Sequence, residues 1–413
     1  MIPLDEALTT VLAGCAPLPA RSRPLADAVG CVLAGAEVVA RDAVPPFANS
    51  AMDGYAVRAA DVVDVPVRLP VVAEVAAGHP VERPLGPGEA MRIFTGAPVP
   101  AGADAIVIVE DTERLEGGAA VELRAVARTG VHIRPVGDDV QMGDVVAVPG
   151  DEVTPGRLGL LRSVGVFDVE VRPRPRVGVI STGDELVDDD RPLQPGQIRD
   201  TNRPVMLGLV AAAGAQPVDL GHVGDDDGAI STAMGSAAAT CDAVITTGGV
   251  SMGDTDLVKV VLDRLAGPGV GGMRWMQVAI KPAKPLAFGR IGERKVPVFG
   301  LPGNPVSSMV SFELFARPGI RRLAGHPDDR LSRPLLAATA DEPLVRRPDG
   351  KVHFVRVEVT VREGDLVVRT AGGQASHQLS AMARANGLAV LPDGPGVDAG
   401  DRVEVMFLGE PRG

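Results

Sequence analysis

Arg176-Val-Gly-Val-Ile runs into Ser181-Thr-Gly-Asp-Glu-Leu, Asp242-Ala-Val-Ile runs into Thr246-Thr-Gly-Gly-Val-Ser, and Val296-Pro-Val-Phe-Gly runs into Leu301-Pro-Gly-Asn-Pro-Val-Ser. Each is a short apolar run that ends in small and polar residues. Apolar runs that alternate with helix-like patterns are typical of an α/β domain with a parallel sheet. The carboxyl ends of such strands meet at one edge, where ligands bind. We therefore expect the three loops to form one crevice, a candidate active site.

The glycines of these loops predict an anion site. Glycine turns after strands bring backbone N–H groups close to phosphate oxygens, and a helix N-terminus adds a partial positive charge. In the third loop Asn304 is a suitable N-cap and Pro305 suits the first helical turn. Neither glycine loop matches the dinucleotide fingerprint or the Walker loop, so tight structural turns remain the alternative.

Acidic residues lie in or near the same predicted loops. Glu185 follows the first strand, Asp256 ends the second loop, and Asp225 opens a run of three aspartates. Carboxylates suit Mg²⁺, which takes one or two of them together with substrate phosphate. A solvated loop with helix-capping acids is the alternative for the aspartate run.

Two lysines supply local positive charge. Lys281 and Lys284 each precede a proline in Ile280-Lys-Pro-Ala-Lys-Pro, which favours an extended backbone. A straight strand would place them on opposite faces, so the chain must bend if both are to hold one anion. Two surface lysines flanking a strand are the alternative.

The bulk composition limits the class of protein. The 413 residues carry a formal net charge of -12, which argues against nucleic-acid binding. No apolar run reaches the length of about 18 residues that a membrane span needs. The three cysteines have no zinc or disulfide spacing, and the chain start lacks a signal peptide, so we expect reduced thiols in a cytoplasmic enzyme.

The predicted fold class is α/β plus all-β, in several domains. Residues 173–328 predict a central three-layer α/β domain with a mostly parallel sheet. Residues 47–138 predict a small β domain, inserted into a helical and irregular linking domain of residues 1–46 and 139–172. Residues 329–413 predict a C-terminal β-barrel-like domain.

Three details of the first 172 residues are also predicted. Apolar spacing indicates helices over residues 3–15 and 24–40. The strand at 105–110 is predicted to pair with residues 121–126 across a Gly-Gly turn.

Asp53 and Thr95 lie outside the α/β domain. Asp53 belongs to Met52-Asp-Gly-Tyr and Thr95 to Phe94-Thr-Gly-Ala-Pro. A simple turn and a strand end are the alternatives for these two segments.

The motifs together resemble one family. They are, in order, Pro45-Pro-Phe-Ala-Asn-Ser-Ala-Met-Asp-Gly-Tyr-Ala, Thr95-Gly-Ala-Pro-Val-Pro, Ser181-Thr-Gly-Asp-Glu-Leu, Ile198-Arg-Asp-Thr-Asn, Thr247-Gly-Gly-Val-Ser-Met-Gly-Asp, Ile280-Lys-Pro-Ala-Lys-Pro, Leu301-Pro-Gly-Asn-Pro-Val-Ser, Gly373-Gln-Ala-Ser-His and Ala383-Arg-Ala-Asn-Gly-Leu. The chain resembles the molybdopterin molybdenumtransferases, the bacterial MoeA type, also seen as the E domain of gephyrin.

The resemblance implies an elongated four-domain homodimer that inserts molybdate into adenylylated molybdopterin with Mg²⁺, releasing AMP and the molybdenum cofactor. It implies catalytic roles for Asp53, Thr95, Asp139, Glu185, Asp225, Asp256, Lys281 and Lys284, with Mg²⁺ on Glu185, Asp225 or Asp256. Expected substrate-binding residues are Thr182, Gly183, Thr247, Gly248, Gly249, Ser251, Pro302, Gly303, Asn304, Ser307, Arg356 and Ser376. Asp53 and Thr95 are expected to complete the site from the partner subunit, and the molybdopterin adenylyltransferase is a further expected partner.

Two other functions remain open at this point. One is the preceding step, adenylylation of molybdopterin, which related α/β domains perform. The other is a non-catalytic scaffold of the gephyrin type. The flanking β domains and Met52-Asp-Gly-Tyr favour insertion over adenylylation. The scaffold is disfavoured because we expect no extra domain or long linker.

Overall fold

The computed structural model describes residues 1–249, 257–267 and 272–412. The predictions made for Ser251 and Asp256 lie outside the described residues.

The first 172 residues are built mostly from short strands. They contain α1 (Leu4–Ala13), β1 (Arg21–Pro24), β2 (Val32–Leu33), β3 (Val38–Val39), β4 (Asn49–Ser50), β5 (Gly54–Val57), β6 (Val67–Val75), β7 (Ala90–Ile93), β8 (Ala105–Ile108), β9 (Thr112–Leu115), β10 (Ala120–Leu123), β11 (Ile133–Arg134), β12 (Val145–Ala147), α2 (Pro155–Ser163) and β13 (Asp168–Arg172). The largest sheet here has the order β8-β5-β7-β6-β10-β9. A separate core packs Leu33 against Leu161 and Val169, which joins chain from before and after that sheet.

Two sequence predictions for this region are wrong. Residues 24–40 form no α-helix but a 3₁₀ turn (Leu25–Asp27) followed by β2 and β3. Leu25, Ala28, Val32 and Leu33 are buried, whereas Val29 is 43% exposed. Gly30 and Gly35 have positive φ values of 77° and 74°, which an α-helix does not allow. The strand after the Gly-Gly turn, β10, pairs with β9 and not with β8. β8 pairs with β5.

A six-stranded sheet organises the middle of the chain. The elements here are β14 (Arg176–Thr182), β15 (Leu186–Val187), β16 (Ile198–Arg199), α3 (Asn202–Ala212), β17 (Gln216–Val223), α4 (Asp227–Thr240), β18 (Ala243–Thr247), α5 (Leu257–Ala266), β19 (Arg274–Gln277), β20 (Ile280–Lys281), β21 (Pro285–Ile291), β22 (Val296–Leu301), α6 (Pro305–Ser311) and α7 (Arg317–Ala324). The sheet order is β17-β14-β18-β22-β21-β19; the first four strands are parallel, whereas β21 and β19 are antiparallel to their neighbours.

Alternation along the strands produces three layers. Val179 packs with α3, α6 and α7 on one face, whereas Ile180 packs with α4 and α5 on the other. Both faces are covered, so β14, β18 and β22 are almost wholly buried, as their continuous apolar runs predict.

The C-terminal strands close into a small barrel. They are β23 (Leu335–Ala340), β24 (Leu344–Val345), β25 (Val352–Arg362), β26 (Asp365–Thr370), β27 (Gly387–Leu391), β28 (Gly396–Val397) and β29 (Arg402–Phe407), with α8 (Leu379–Arg384) before β27. The ring runs β25-β26-β23-β29-β27 and returns to β25. β20 adds to β25 in parallel, which ties the barrel to the α/β part. The predicted fold class is confirmed; the domain boundaries stay a prediction.

Candidate active site

The three predicted loops begin at the same level of the sheet. In the strand register Ser181 lies opposite Thr247, and Thr247 lies opposite Leu301. The backbone N–H of Gly248 donates to the carbonyl of Leu301 at 3.1 Å. A Cβ added at Gly303 would lie 3.7 Å from the Cα of Gly248, so the second and third loops are in contact.

A cleft of about 700 Å³ opens at this edge, and we call it the sheet-edge cleft. Nine of the predicted site residues line it: Gly248, Gly249, Lys281, Lys284, Pro302, Gly303, Asn304, Ser307 and Ser376. Lys351 and Gln374 also line it and were not predicted. Gln374 belongs to the quoted motif Gly373-Gln-Ala-Ser-His but was not itself predicted, and Lys351 belongs to no quoted motif. Lys351 directly precedes β25, which pairs with β20, and Gln374 lies in the loop after β26.

Lys281 and Lys284 reach the same cleft because the chain turns between them. Ala283 has a φ of 80°, in the left-handed region, and separates β20 from β21. The bend that the sequence required is therefore present. Both lysines are exposed, and within the described residues neither has an ion-pair partner. Their charges are available to an anion in the cleft.

The loop after β22 is held from two sides. The side chain of Asn202, at the start of α3, donates to the carbonyl of Gly303 at 2.7 Å. The hydroxyl of Ser308 donates to the carbonyl of Pro302. Asn304 occupies the N-cap position of α6 as predicted, with Pro305 at the first turn, but its side chain makes no capping hydrogen bond. Within the described residues that amide makes no hydrogen bond that would turn it from the cleft, which Asn304 and Ser307 of the first turn of α6 line.

Buried hydroxyl groups lie beneath the second loop. The Oγ1 atoms of Thr246 and Thr247 are buried and have no hydrogen-bond partner among the residues that the structure describes. Thr182 is also buried, and a Cβ built on Gly248 would lie 3.3 Å from its carbonyl oxygen. The first loop thus touches the second, although Thr182 and Gly183 do not line the cleft themselves.

Asp184 of the first loop contacts Asp225. The backbone N–H of Asp225 donates to Oδ1 of Asp184 at 2.9 Å, and a weaker 3.5 Å bond runs from the N–H of Asp184 to Oδ2 of Asp225. Glu185 and Asp225 are both exposed. Asp226 caps α4 by accepting from Ala229, so the helix-capping alternative holds for that member of the aspartate run.

This pair of loops fits Mg²⁺ in its usual mode of binding. The ion keeps several waters and takes one or two carboxylates together with phosphate oxygens. Two exposed carboxylates on tethered loops meet that need when a phosphorylated substrate is present. In the part of the chain that is described, no group of three or more His, Cys, Asp or Glu side chains is arranged to hold a metal alone.

A buried charge network supports the first loop from below, and the sequence did not reveal it. Asp200 accepts from the hydroxyl of Ser181 at 2.5 Å and from Nε of Arg203 at 3.1 Å. Arg203 also bonds Asp219, within β17, and Asp188, directly after β15. The motif Arg-Asp-Thr-Asn was noted for its family resemblance, but pairing across 16 to 19 residues is visible only in three dimensions.

Arg356 lies behind the cleft wall instead of within the cleft. Its side chain is 0% exposed, and it donates to the carbonyls of Gly373 at 2.9 Å and Ala375 at 3.2 Å. The side chain of Gln374 accepts from the backbone N–H of Arg356 and donates to the carbonyl of the same residue. Burial lowers the pKa of Arg356. This clamp holds the loop that carries Ser376 into the cleft.

Asp53, Thr95 and Asp139 do not line the sheet-edge cleft. The backbone N–H and the hydroxyl of Thr95 both donate to Oδ1 of Asp53 at 2.7 Å. These two bonds lower the pKa of Asp53, which is an oriented and exposed carboxylate. Asp139 is exposed on another loop, with its N–H bonded to Val44. The catalytic and binding roles of all these residues stay predictions.

Comparison with known proteins identifies the family. Residues 2–165 match the MoeA N-terminal region (domain I and II), residues 178–322 a probable molybdopterin binding domain, and residues 343–408 the MoeA C-terminal region (domain IV). The chain is 41% identical over 411 residues to molybdopterin molybdenumtransferase 2 of Mycobacterium tuberculosis, and the match covers 98% of each chain. This chain belongs to the molybdopterin molybdenumtransferase family.

Other members and a solved structure agree with this assignment. The molybdopterin molybdenumtransferase of Haemophilus influenzae is 36% identical over 409 residues, again with 98% of each chain covered. The molybdopterin biosynthesis MoeA protein of Pyrococcus horikoshii superposes with a TM-score of 0.77 at 27% identity, covering 98% of this chain and 100% of that one. The family resemblance drawn from the motifs is confirmed. No helix within the described residues is both long and apolar enough to cross a membrane.

Proposed function

We propose that this chain inserts molybdenum from molybdate into molybdopterin at the sheet-edge cleft. The observation that carries the proposal is the pair of lysines, Lys281 and Lys284, which face one cleft with glycine loops and a helix N-terminus. Both are without an ion-pair partner among the described residues, in a chain whose net charge is -12. An anionic substrate is the ligand that such a cleft suits.

The cleft residues divide into two kinds of anion contact. Lys281 and Lys284 supply charge for the molybdate dianion, and the hydroxyls of Ser307 and Ser376 supply hydrogen bonds. Gly248, Gly249 and Gly303 let the backbone approach the phosphate of the pterin substrate, because no side chain stands between. Holding both reactants in one cleft makes the insertion step effectively unimolecular.

The substrate we propose is adenylylated molybdopterin, with AMP as the leaving product. Glu185 and Asp225, with Asp256 outside the described residues, would hold Mg²⁺. The ion, when bound, offsets phosphate charge and favours cleavage of the adenylyl linkage. The hydrogen bonds from the backbone N–H of each of Asp184 and Asp225 to the carboxylate of the other keep the two loops together for that purpose.

We further propose a homodimer in which Asp53 and Thr95 complete the partner's site. Asp53 is oriented by two hydrogen bonds and yet exposed, and it lines no part of the sheet-edge cleft. An exposed carboxylate held so firmly suits contact with a second copy. The molybdopterin adenylyltransferase remains the proposed source of substrate. The cytoplasm is the proposed location, since the described cysteines are buried and unpaired.

The direct test is to incubate the chain with adenylylated molybdopterin, Mg²⁺ and molybdate and to measure AMP. We expect AMP release that needs both added ions and falls strongly in Lys281→Met. Consumption of ATP with molybdopterin alone would instead identify an adenylyltransferase.

The shared site has its own test. Chains carrying Asp53→Ala and chains carrying Lys284→Met are mixed, dissociated and allowed to reassociate. Some heterodimers would then contain one intact site, so activity should partly return. No recovery in the presence of proven heterodimers would contradict the proposal.

A further inference from the structure

The first loop of the sheet edge is a tight turn of residues 183–186, which we call the acidic turn. The backbone N–H of Leu186 donates to the carbonyl of Gly183 at 3.2 Å, as in a β-turn. Asp184 and Glu185 occupy the two central positions. The places of these two acids therefore depend on what fixes the carbonyl of Gly183.

His222 makes a second hydrogen bond to that carbonyl. Its Nε2 lies 2.7 Å from the oxygen of Gly183. A carbonyl oxygen can only accept, so Nε2 must carry a hydrogen and donate it. His222 is partly buried and is the last residue but one of β17, the edge strand of the six-stranded sheet. Its ring thus ties the acidic turn to that strand.

An extra residue in β17 brings His222 to this position. Val179 of β14 pairs with Asp219. Ser181, two residues further along β14, pairs with His222, which is three residues further along β17. This is a β-bulge, and Gly221 within it has a φ of 80°. Without the extra residue the side chain of His222 would lie on the other face of the sheet.

The bulge is anchored in the buried charge network. The N–H of Gly221 donates to Oδ1 of Asp219 at 2.8 Å. Nη1 of Arg203, the buried arginine that also holds Asp200, donates to the same oxygen at 2.6 Å. Bulges next to active sites redirect one side chain. Here the redirected side chain is His222, because it follows the bulge directly and reaches the acidic turn.

The bond from His222 also fixes which way the next peptide group faces. In a trans peptide the C=O of one residue and the N–H of the next point in opposite directions. The carbonyl of Gly183 faces His222, and on the other side the N–H of Asp184 lies 3.5 Å from Oδ2 of Asp225. The N–H of Asp225 donates in return to Oδ1 of Asp184 at 2.9 Å. His222 and Asp225 therefore hold opposite edges of one peptide group.

Glu185 lies against the same peptide group. The N–H of Ile198 donates to the carbonyl of Glu185 at 2.8 Å, which holds the far end of the turn. A Cβ added at Gly183, whose φ is +136°, would collide with the carboxylate of Glu185. That carboxylate therefore lies over Gly183, close to the carbonyl that His222 fixes. A shift of the carbonyl would move the carboxylate with it.

We propose that His222 is a positioning residue, which holds the acidic turn in place and thereby sets how tightly the first loop binds Mg²⁺. The part played in Mg²⁺ binding rests on the proposed function, whereas the hydrogen bond to Gly183 does not. The ring acts through the carbonyl of Gly183 and needs no contact with substrate or metal. Without it the turn keeps the bond from Leu186 but loses its tie to β17, so Glu185 moves over a wider range.

Hydrogen exchange of the full chain, read by mass spectrometry over residues 183–187, tests the positioning without substrate or metal. His222→Leu should speed exchange about fivefold, the loss expected for one neutral hydrogen bond. His222→Gln keeps an N–H donor and should restore most of the protection. His79→Leu is the matched control, because the exposed ring of His79 also bonds a backbone carbonyl, that of Ala77, between β6 and β7. Fluorescence of Trp275 checks that each variant is folded.

Binding of Mn²⁺, followed by electron paramagnetic resonance with AMP present to supply phosphate, tests the metal role apart from turnover. His222→Leu should weaken Mn²⁺ binding about fivefold, and His222→Gln by less than about twofold. In the AMP-release assay His222→Leu should need about fivefold more Mg²⁺ for half-maximal rate, while the maximal rate falls less. A merely structural role would lower the maximal rate and leave the Mg²⁺ requirement unchanged.

Equal exchange in His222→Leu and the wild-type chain would overturn the positioning role, and so would equal losses in His222→Leu and His222→Gln. Faster exchange with unchanged Mn²⁺ affinity would overturn the link to the metal. In each of these outcomes AMP release that needs molybdate and Mg²⁺ still supports the proposed function. Conversely, faster exchange in His222→Leu, in a chain that releases no AMP, would support the positioning role and overturn the proposed function.

Discussion

Asp200→Ala is expected to lower the free energy of unfolding of the α/β part by about 3 kcal/mol. Asp200 is 1% exposed and Arg203 is 8% exposed at their side chains, so the pair is buried. Removing one partner of a buried pair typically costs about 3–5 kcal/mol. Arg203 keeps Asp219 and Asp188, each about half exposed, which places the cost at the lower end.

Fluorescence of Trp275 during urea unfolding measures this change. Trp275 is the single tryptophan of the chain and lies on β19 of the same six-stranded sheet. With a slope of about 2 kcal/mol per molar urea, the loss lowers the midpoint by roughly 1.5 M. Asp200→Asn keeps one acceptor oxygen, for the Ser181 hydroxyl and Nε of Arg203, and should lose about half as much.

Asp188→Ala is the matched control, because it removes a partner of the same arginine. Its carboxylate is 52% exposed, so the cost should stay below about 1 kcal/mol. The reasoning fails if Asp188→Ala and Asp200→Ala shift the midpoint equally, or if Asp200→Ala shifts it by less than about 0.5 M.

Three further predictions follow from single contacts. Lys281→Met and Lys284→Met should each weaken molybdate binding by about tenfold in calorimetry, and unchanged affinity in both would contradict the assigned anion site. Gly249→Ala should destabilise the fold by about 3 kcal/mol in urea, because φ is +66° there and the new Cβ would lie 2.3 Å from Cβ of Val258; a stable variant would refute that geometry. Burial, aided by nearby arginines, lowers the pKa of His326 from 6.5 to about 4. The unfolded chain therefore takes up a proton first as the pH falls, so stability should decline from pH 6.5 to about 4, and His326→Gln should flatten that slope in thermal unfolding.

Two elements that the sequence did not predict, β17 and α4, have only weak patterns of apolar residues. β17 reads Gln216-Pro-Val-Asp-Leu-Gly-His-Val, without regular alternation, because it lies at the edge of the sheet. α4 consists mainly of small residues and buries only Ile230, Met234 and two alanines. Neither was predicted, because their places are decided by the sheet and by α5, against which they pack.

In the linking region the prediction of buried residues was largely correct, but the predicted helix was wrong. Leu25, Ala28 and Leu33 are buried as their spacing suggested. Turns at Gly30 and Gly35 nevertheless convert the segment into short strands. Burial can be inferred from residue type, whereas periodicity over two turns does not separate a helix from an irregular chain.

The sequence by itself determined the three buried strands of the central sheet, the order of its glycine loops and the family. Continuous apolar runs can only be buried on both faces, and a strand of that kind must end in a polar loop at the sheet edge. The bend between Lys281 and Lys284 was also required in advance, as the condition for one anion site.

Only the tertiary structure decided which side chains share a cleft. Lys351 reaches the cleft through pairing of β20 with β25, a contact between segments 72 residues apart in the register of Ile280 with Val352. Such long-range pairing depends on how whole strands fit together, so no local pattern of residues records it.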